Sequence, residues 1–362
     1  MITNVDLFQF KRFKDGRTVL SSLTLLTGIN GMGKSSVIQS LLILRQSFDR
    51  GDLQNNSTLV IEDEIINLIS PDDMLYSGAS SKTVTLSVKD DKNSKATWSV
   101  NAEGESNSLP YTYTEQNGNI YECSLFDEHF QYLNAERIGP RPTYDRLRTK
   151  RKHSPIGYRG EFAANRILEA LTKVEEVRFA NLVIGNRSAK VYDQLSAWVS
   201  EIIYPGTKVE IDGSDSSKIV VNYSFADEQS KTFNPVNVGF GFSFALPVIL
   251  AALTAPKGSL LIVENPEAHL HPKGQLRIGK LLALAAHNGV QVIVETHSDH
   301  LLNGIRLAVK ENAISKDEVK LAFFSANGNN IDEQPSIDSD GRITNWPQDF
   351  FDTWEYSLME LL

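Results

Sequence analysis

The sequence predicts an α/β fold with a mainly parallel core sheet, an antiparallel β insertion and a helical insertion. Three observations carry this reading. Short apolar runs such as "LTLLT", "SLLIVE" and "VQVIVETHS" stand near the two ends of the chain. The last two are separated by the helix-period stretch "GQLRIGKLLALAAHN", and strand–helix–strand alternation implies right-handed parallel crossovers. Between these ends the chain becomes polar and shows short alternating runs, the pattern of half-buried antiparallel strands.

Residues 1–50 read as strand, turn, strand, glycine loop, helix. "ITNVDLFQF" alternates, "DGRT" is expected to turn, and "LTLLT" enters "GINGMGKSS". In the following "SSVIQSLLILRQSF", Val37, Ile38, Leu41, Leu42 and Leu44 fall on one helical face. Residues 51–135 form the expected β-rich insertion, with "TVTLSV", "ATWSV" and "NIYECSLF" as strands. Residues 136–235 begin with a basic segment, turn helical in "EFAANRILEALTKV" and "VYDQLSAWVSEII", and end in the strands "TKVEID" and "KIVVNYSF". Residues 236–317 hold a helix opening with glycines, "GFGFSFALPVILAAL", then the two apolar strands and their connecting helix. A tail, 318–362, has one strand, "VKLAFFS", and an aromatic end.

Composition limits the function classes. With 362 residues, 41% hydrophobic and 22% charged, the chain has the profile of a globular protein with a sizeable core. No apolar run reaches the roughly 18 residues of a membrane span, and the start lacks a signal peptide's charged head and apolar centre, so a cytoplasmic location and no membrane partner are expected. The single Cys123 excludes an intrachain disulfide and a thiolate zinc cluster. The net charge of −9 gives no global attraction for nucleic acid. Residues 137–153 are a local exception, with seven Lys and Arg against the single acid Asp145. Within that run Arg148, Lys150, Arg151 and Lys152 are the candidates for touching nucleic acid or an acidic partner, although a charge run is commonly a solvated loop.

"GINGMGKS" fits G-x-x-x-x-G-K-S through Gly28, Gly33, Lys34 and Ser35. Glycines there let backbone N–H groups face phosphate oxygens while the helix N-terminus adds its partial positive charge. Lys34 is expected to bridge the β- and γ-phosphates and Ser35 to ligate magnesium. Leu260 to Val263 lead into Glu264, the way a buried strand delivers a second metal ligand. The next residue, where many ATPases keep an acid, is Asn265; Glu267 is the nearest acid beyond it, across Pro266. "VIVETHSDHLL" brings Thr296 and His297 to a sheet edge of the kind where ligands of open α/β sheets collect. His269 and His271 suggest zinc only weakly, since no convergent third ligand is visible.

These residues together resemble the ABC-class, AAA-type ATPase heads of the RecF, Rad50/SMC and OLD (overcoming lysogenization defect) type. The resemblance rests on the "GxNGxGKSS" form of the loop, on "ENPEAHLHP" and on "ETHSDHLLNG". Together with "YLNAERIGPR" and "GRITNWPQDFFD", it is similar to a bacterial subgroup of stand-alone ATPases with an uncharacterised C-terminal domain, often linked to anti-phage defence. It implies an ABC-type P-loop ATPase head that binds ATP and Mg²⁺, with Asn30, Gly31 and Ser36 joining the nucleotide loop and Lys11 and Arg12 near the nucleotide. It implies that "NVGFGFS" takes the place of the signature motif, with Gly239, Gly241 and Ser243 acting on the nucleotide of a second subunit. His297 matches the switch histidine, His269–His271 the subunit-contact loop, and Arg137 stands where a Q-loop residue is expected. Asn265 replaces the usual catalytic glutamate, so turnover is expected to be slow, with Glu264, Asn265, Glu267 and His297 as the catalytic set.

The function expected is an ATP-dependent switch that closes as a homodimer or higher oligomer. It would control a separate effector, a nuclease or toxin, in anti-phage defence or DNA maintenance. Two alternatives stand beside it: an OLD-type nuclease using Asp338 and Asp340 of "IDSDG", and a non-hydrolytic ATP-dependent scaffold. The sixty or so residues after "ETHSDHLL" are few for a nuclease domain, and "SDG" is an ordinary turn.

Overall fold

The computed structural model describes residues 1–149, 153–185, 188–226, 231–325, 334–351 and 359–361. They form two compact units. The first comprises Met1–Asp127, Lys320–Ser336 and Ile343–Leu362; the second comprises Glu128–Val319 and Ile337–Arg342. Each has its own logic.

The first unit opens with β1 (Ile2–Phe10) and β2 (Phe13–Val19), an antiparallel hairpin with Phe10 opposite Phe13. The turn expected at "DGRT" lies inside β2; the chain reverses at Lys11–Arg12, with Lys11 at φ 49°. The "DG" pair misled because a glycine can also sit in an extended strand, and the register of the buried Phe10 and Phe13 decided the turn. β3 (Leu23–Gly28) follows, then α1 (Lys34–Asp49), α2 (Asp52–Asn55) and β4 (Thr58–Val60). The predicted apolar face of α1 is buried at all five positions, Val37, Ile38, Leu41, Leu42 and Leu44. Its fully buried Arg45 is held by Asp49 at 2.8 Å and by the carbonyls of Leu125 and Asp127.

β5 (Thr83–Asp90) and β6 (Lys95–Asn101) are antiparallel, as their alternation predicts, and β7 (Ser108–Gln116), a strand not foreseen, pairs antiparallel with β6. They do not stand apart as a separate sheet. The strand order β2-β1-β5-β6-β7-β4 makes them a continuation of the N-terminal hairpin. "NIYECSLF" is not a strand: after Asn117 and Gly118, both at positive φ, it forms a 3-10 turn, Ile120–Glu122. The Asn119 side chain accepts from Tyr121 N at 3.1 Å and offers the backbone a local alternative to a ladder. Cys123 is buried beside it, and burial pushes its thiol up to about 11.

The second unit contains β8 (Gln131–Leu133), β9 (Tyr144–Asp145), α3 (Ala163–Thr172), α4 (Val191–Ile202), β10 (Lys208–Asp212), β11 (Lys218–Ser224) and β12 (Thr232–Phe233). It continues with α5 (Phe240–Thr254), β13 (Leu260–Glu264), α6 (Pro272–His287), β14 (Gln291–Glu295) and α7 (Asp299–Lys310). β13 pairs in parallel with β14 and with β8. Continuous apolar runs are what a strand covered on both faces requires, and Leu260, Ile262, Val263, Val292 and Val294 are all but inaccessible. The short run 131–133, inside the stretch expected to be an antiparallel insertion, is thus a parallel strand. A separate antiparallel group, β10-β11-β12, contains the two strands expected at 207–225 as β10 and β11, and adds the short β12 beside β11.

The chain returns to the first unit with β15 (Val319–Phe324), which lies next to β3 in strand order. The aromatic tail contributes Phe350, fully buried and edge-on to Phe323 at 5.3 Å.

Candidate functional site

In the first unit, the buried β3 delivers the glycine loop to the start of α1. Gly28, Gly31 and Gly33 adopt φ of 121°, 78° and 115°. A Cβ on Gly28 would stand 2.2 Å from the Phe324 carbonyl oxygen, and one on Gly33 would stand 2.8 Å from the Phe13 ring. Both positions therefore require glycine on conformation and on space. α1 has no acid in its first turn and no side-chain cap, so the positive end of the helix is left uncompensated. Lys34 is 3% exposed and its Nζ donates to the carbonyls of Gly28 at 2.8 Å and Ile29 at 3.0 Å. Ser35, Asn30 and Gly31 are exposed, whereas Ser36 is buried. The hairpin turn leans on the same loop. Arg12 Nη2 lies 3.7 Å from Met32 Sδ, and burial lowers the Lys11 ammonium against the opposing pull of Asp73. The uncapped helix start, the curled lysine and the exposed hydroxyl fit a nucleotide's phosphates and its magnesium.

In the second unit the acid is built from a distance. Glu264 ends β13; its Oε1 accepts from the Tyr132 hydroxyl at 2.8 Å and its Oε2 from Ala135 N at 3.3 Å. Burial raises the Glu264 carboxyl above the ordinary range, and the Tyr132 and Ala135 hydrogen bonds and Arg137 oppose that shift. Arg137 is 2% exposed; its Nη1 donates to Glu264 O at 2.7 Å and its Nη2 to Asn265 O. Burial lowers this guanidinium to about 10, with Glu267 and Glu264 pulling it back up. Asn265 sits at φ 44°, and its N–H donates to Glu295 O at 2.8 Å. Asparagine tolerates this left-handed backbone better than most residues.

Glu267 does not face the end of β13 as a free base. Its Oε1 accepts from the backbone N–H of His297 at 3.0 Å, which ties the turn after β13 to the turn after β14. Its Oε2 is buried without a hydrogen-bond partner, as is Nε of Arg137. His297 itself is exposed. Tyr132 was not foreseen: nothing in "QYLN" marks it, and only the parallel pairing of β8 with β13 brings its hydroxyl to the acid.

The glycine-opened helix is α5, with Gly239 as its exposed N-cap and Phe240 53% exposed. Gly241 and Ser243 lie within the helix and are buried, and Ser243 Oγ has no hydrogen-bond partner. Gly239 and Phe240, rather than Ser243, thus form the accessible end. His269 packs on Phe240 and Phe244 at ring distances of 5.4 and 4.5 Å, and His271 caps α6 through Nδ1. Of the basic run, Arg148 is exposed, and Lys150, Arg151 and Lys152 lie outside the described residues. Asp338 Oδ1 accepts from the N–H groups of Asp340 and Arg342 at 2.9 and 2.8 Å. One oxygen of that carboxylate thus holds its own turn together.

The architecture, a mixed α/β fold with a parallel sheet and an antiparallel sheet, matches that of SMC head domains. It is similar to a crystal structure of the SmcHead bound to the C-winged helix domain of ScpA, with a TM-score of 0.54 at 12% identity, covering 95% of this chain and 96% of that one. It is also similar to the Smc head domain with an extended coiled coil bound to the C-terminal domain of ScpA, derived from Pyrococcus furiosus. There the TM-score is 0.52 at 11% identity, covering 99% of both chains. Residues 126–303 match the family described as "AAA domain, putative AbiEii toxin, Type IV TA system". Residues 314–361 match "Protein of unknown function (DUF3696)". No curated protein matches the chain.

Proposed function

We propose that this protein is an ATP-binding, slowly hydrolysing switch of the ABC class, closing as a dimer on ATP and acting on a separate effector protein. The observation that carries the reading is the loop before α1, where three positive-φ glycines, Lys34 and the exposed Ser35 surround an uncapped helix start. Magnesium, when bound, would neutralise phosphate charge. Lys34 and Ser35 hold phosphate and metal on the first unit, and Arg12 adds a nearby cation. On the second unit Glu264, fixed by Tyr132 and by the backbone clamp of Arg137, is the acid that would ligate a metal. Asn265 can orient water through its carbonyl oxygen but accepts no proton, which slows turnover without ending it, because phosphoryl transfer rests mainly on positioning and charge.

Dimer closure places Gly239 and Phe240 at the accessible start of α5, the kind of helix end that receives an anion. His297 serves as the switch residue. A separate effector fits the likeness to heads solved with a bound partner domain and the match of residues 126–303 to a toxin-linked family. A role in anti-phage defence or DNA maintenance follows from the resemblance. The test is phosphate release together with molecular mass, measured with and without ATP and Mg²⁺. A mass that doubles with ATP and slow release supports the switch. Doubling with no release by protein or variants favours a scaffold, and an unchanged mass removes the closure step.

A further inference from the structure

A second basic recess lies in the second unit, remote in sequence from the glycine loop. It is a cavity of about 460 Å³ with Arg146, Arg148, Arg166 and Lys173 on its walls. Among the described residues that line it Glu169 is the one acid, and it is paired with Lys173 at 2.6 Å. In a chain of net charge −9 this is a concentrated positive field. Arg166 also lines a neighbouring cavity of about 510 Å³, so one guanidinium borders both. Its side chain is 10% exposed, Nη2 is bound to Glu175 at 2.7 Å, and Nη1 is buried with no hydrogen-bond partner. A buried charged donor left without an acceptor is costly, and an incoming anion relieves it.

The other donors divide clearly. Arg146 is partly spent on the carbonyls of Gly213 and Asp215, at 2.9 and 3.0 Å. Arg148 is exposed and makes no hydrogen bond among the described residues. Leu147 and Leu168 give the recess an apolar side. The size suits a small ligand rather than the broad surface of a duplex, and paired guanidiniums suit phosphate, which they bind in a bidentate fork.

We propose that this recess binds a phosphomonoester carried on a nucleotide-sized group, with Arg148 and Arg166 as its anchors and Leu147 and Leu168 against the organic part. Two sources share that chemistry, a free mononucleotide and the 5′-phosphorylated end of a single strand. The test is calorimetric titration of the full chain carrying Lys34→Ala, which removes the main cation of the glycine loop. The probes are adenosine 5′-monophosphate, adenosine, inorganic phosphate, and a trinucleotide with and without its 5′-phosphate.

The proposal expects binding of phosphorylated probes only, weakened at least ten-fold by Arg148→Ala with an unchanged melting temperature. Arg166→Gln should weaken it as much; if that variant fails to fold, the exposed Arg148 still decides. Tighter binding of the mononucleotide identifies a free ligand, and binding of the phosphorylated trinucleotide alone identifies a strand end. Adenosine binding as well as its monophosphate, affinity unmoved by Arg148→Ala, inorganic phosphate binding as tightly as the esters, or no binding by the parent each overturns it.

Discussion

The glycine loop of the first unit and the Glu264 turn of the second solve related electrostatic problems by opposite means. The loop is local: from Gly28 to Ser35 its groups are backbone amides and a lysine folded onto its own carbonyls. The acid is assembled across the chain, since Tyr132 and Arg137 lie more than a hundred residues from the strand that delivers Glu264. A local device is damaged by changing its own residues. An assembled one can be weakened from far away, and by degrees.

The sharpest test of the local half is Lys34→Ala. Removing this buried, hydrogen-bonded charge from the glycine loop should weaken ATP binding about 100-fold or more. Titration with a fluorescent ATP analogue checks it, and near-parental affinity would show that the backbone alone suffices. On the assembled half, Glu264→Gln should retain nucleotide binding while lowering phosphate release by about 10²–10³-fold, the scale of losing one preorganised charge contact. Loss of binding instead of turnover would merge the two halves into one binding device.

Gly239→Arg probes the exposed start of α5. A Cβ there meets nothing within 4 Å, so the fold should tolerate the change while ATP-dependent dimerisation is lost. Ser243 is a poorer target, because an arginine there would have to be buried. Sedimentation with ATP decides, and unchanged dimerisation would remove this helix end from closure.

Asn265→Glu should raise turnover by up to about 100-fold if the missing base is what limits it. A large fall would instead mean that the left-handed backbone of Asn265 and its amide are the working parts. Smallest is Tyr132→Phe, which removes one hydrogen bond to a carboxylate, worth roughly 1.5 kcal/mol or about ten-fold in turnover. A drop as deep as that of Glu264→Gln would make Tyr132 much more than a positioning residue.

Much of the fold could be read before any coordinates. α1, α3 to α6 and the buried strands β13 and β14 follow from period and from continuous apolar runs, whereas α7 was not foreseen. So does the loop, because glycine, lysine and serine at fixed spacing admit few backbone solutions. Other features were not legible. "DGRT" carries turn chemistry yet lies in a strand, and "NIYECSLF" alternates yet turns around Asn119. Glu267 reads as a spare acid and proves to be bonded to the backbone of His297. In each case a partner distant in sequence, or a short-range side-chain cap, outweighed local preference.

The sequence by itself determined the loop, the strand that ends in Glu264 and the absence of an acid at Asn265, because each depends on neighbours along the chain. Only the tertiary structure decided what holds the acid. It selected Tyr132 through the pairing of β8 with β13, turned Arg137 onto the carbonyls of Glu264 and Asn265, and buried Ser243 while exposing Gly239. Such choices depend on which surfaces become buried together, since a polar atom removed from water must find its partner wherever the fold places one.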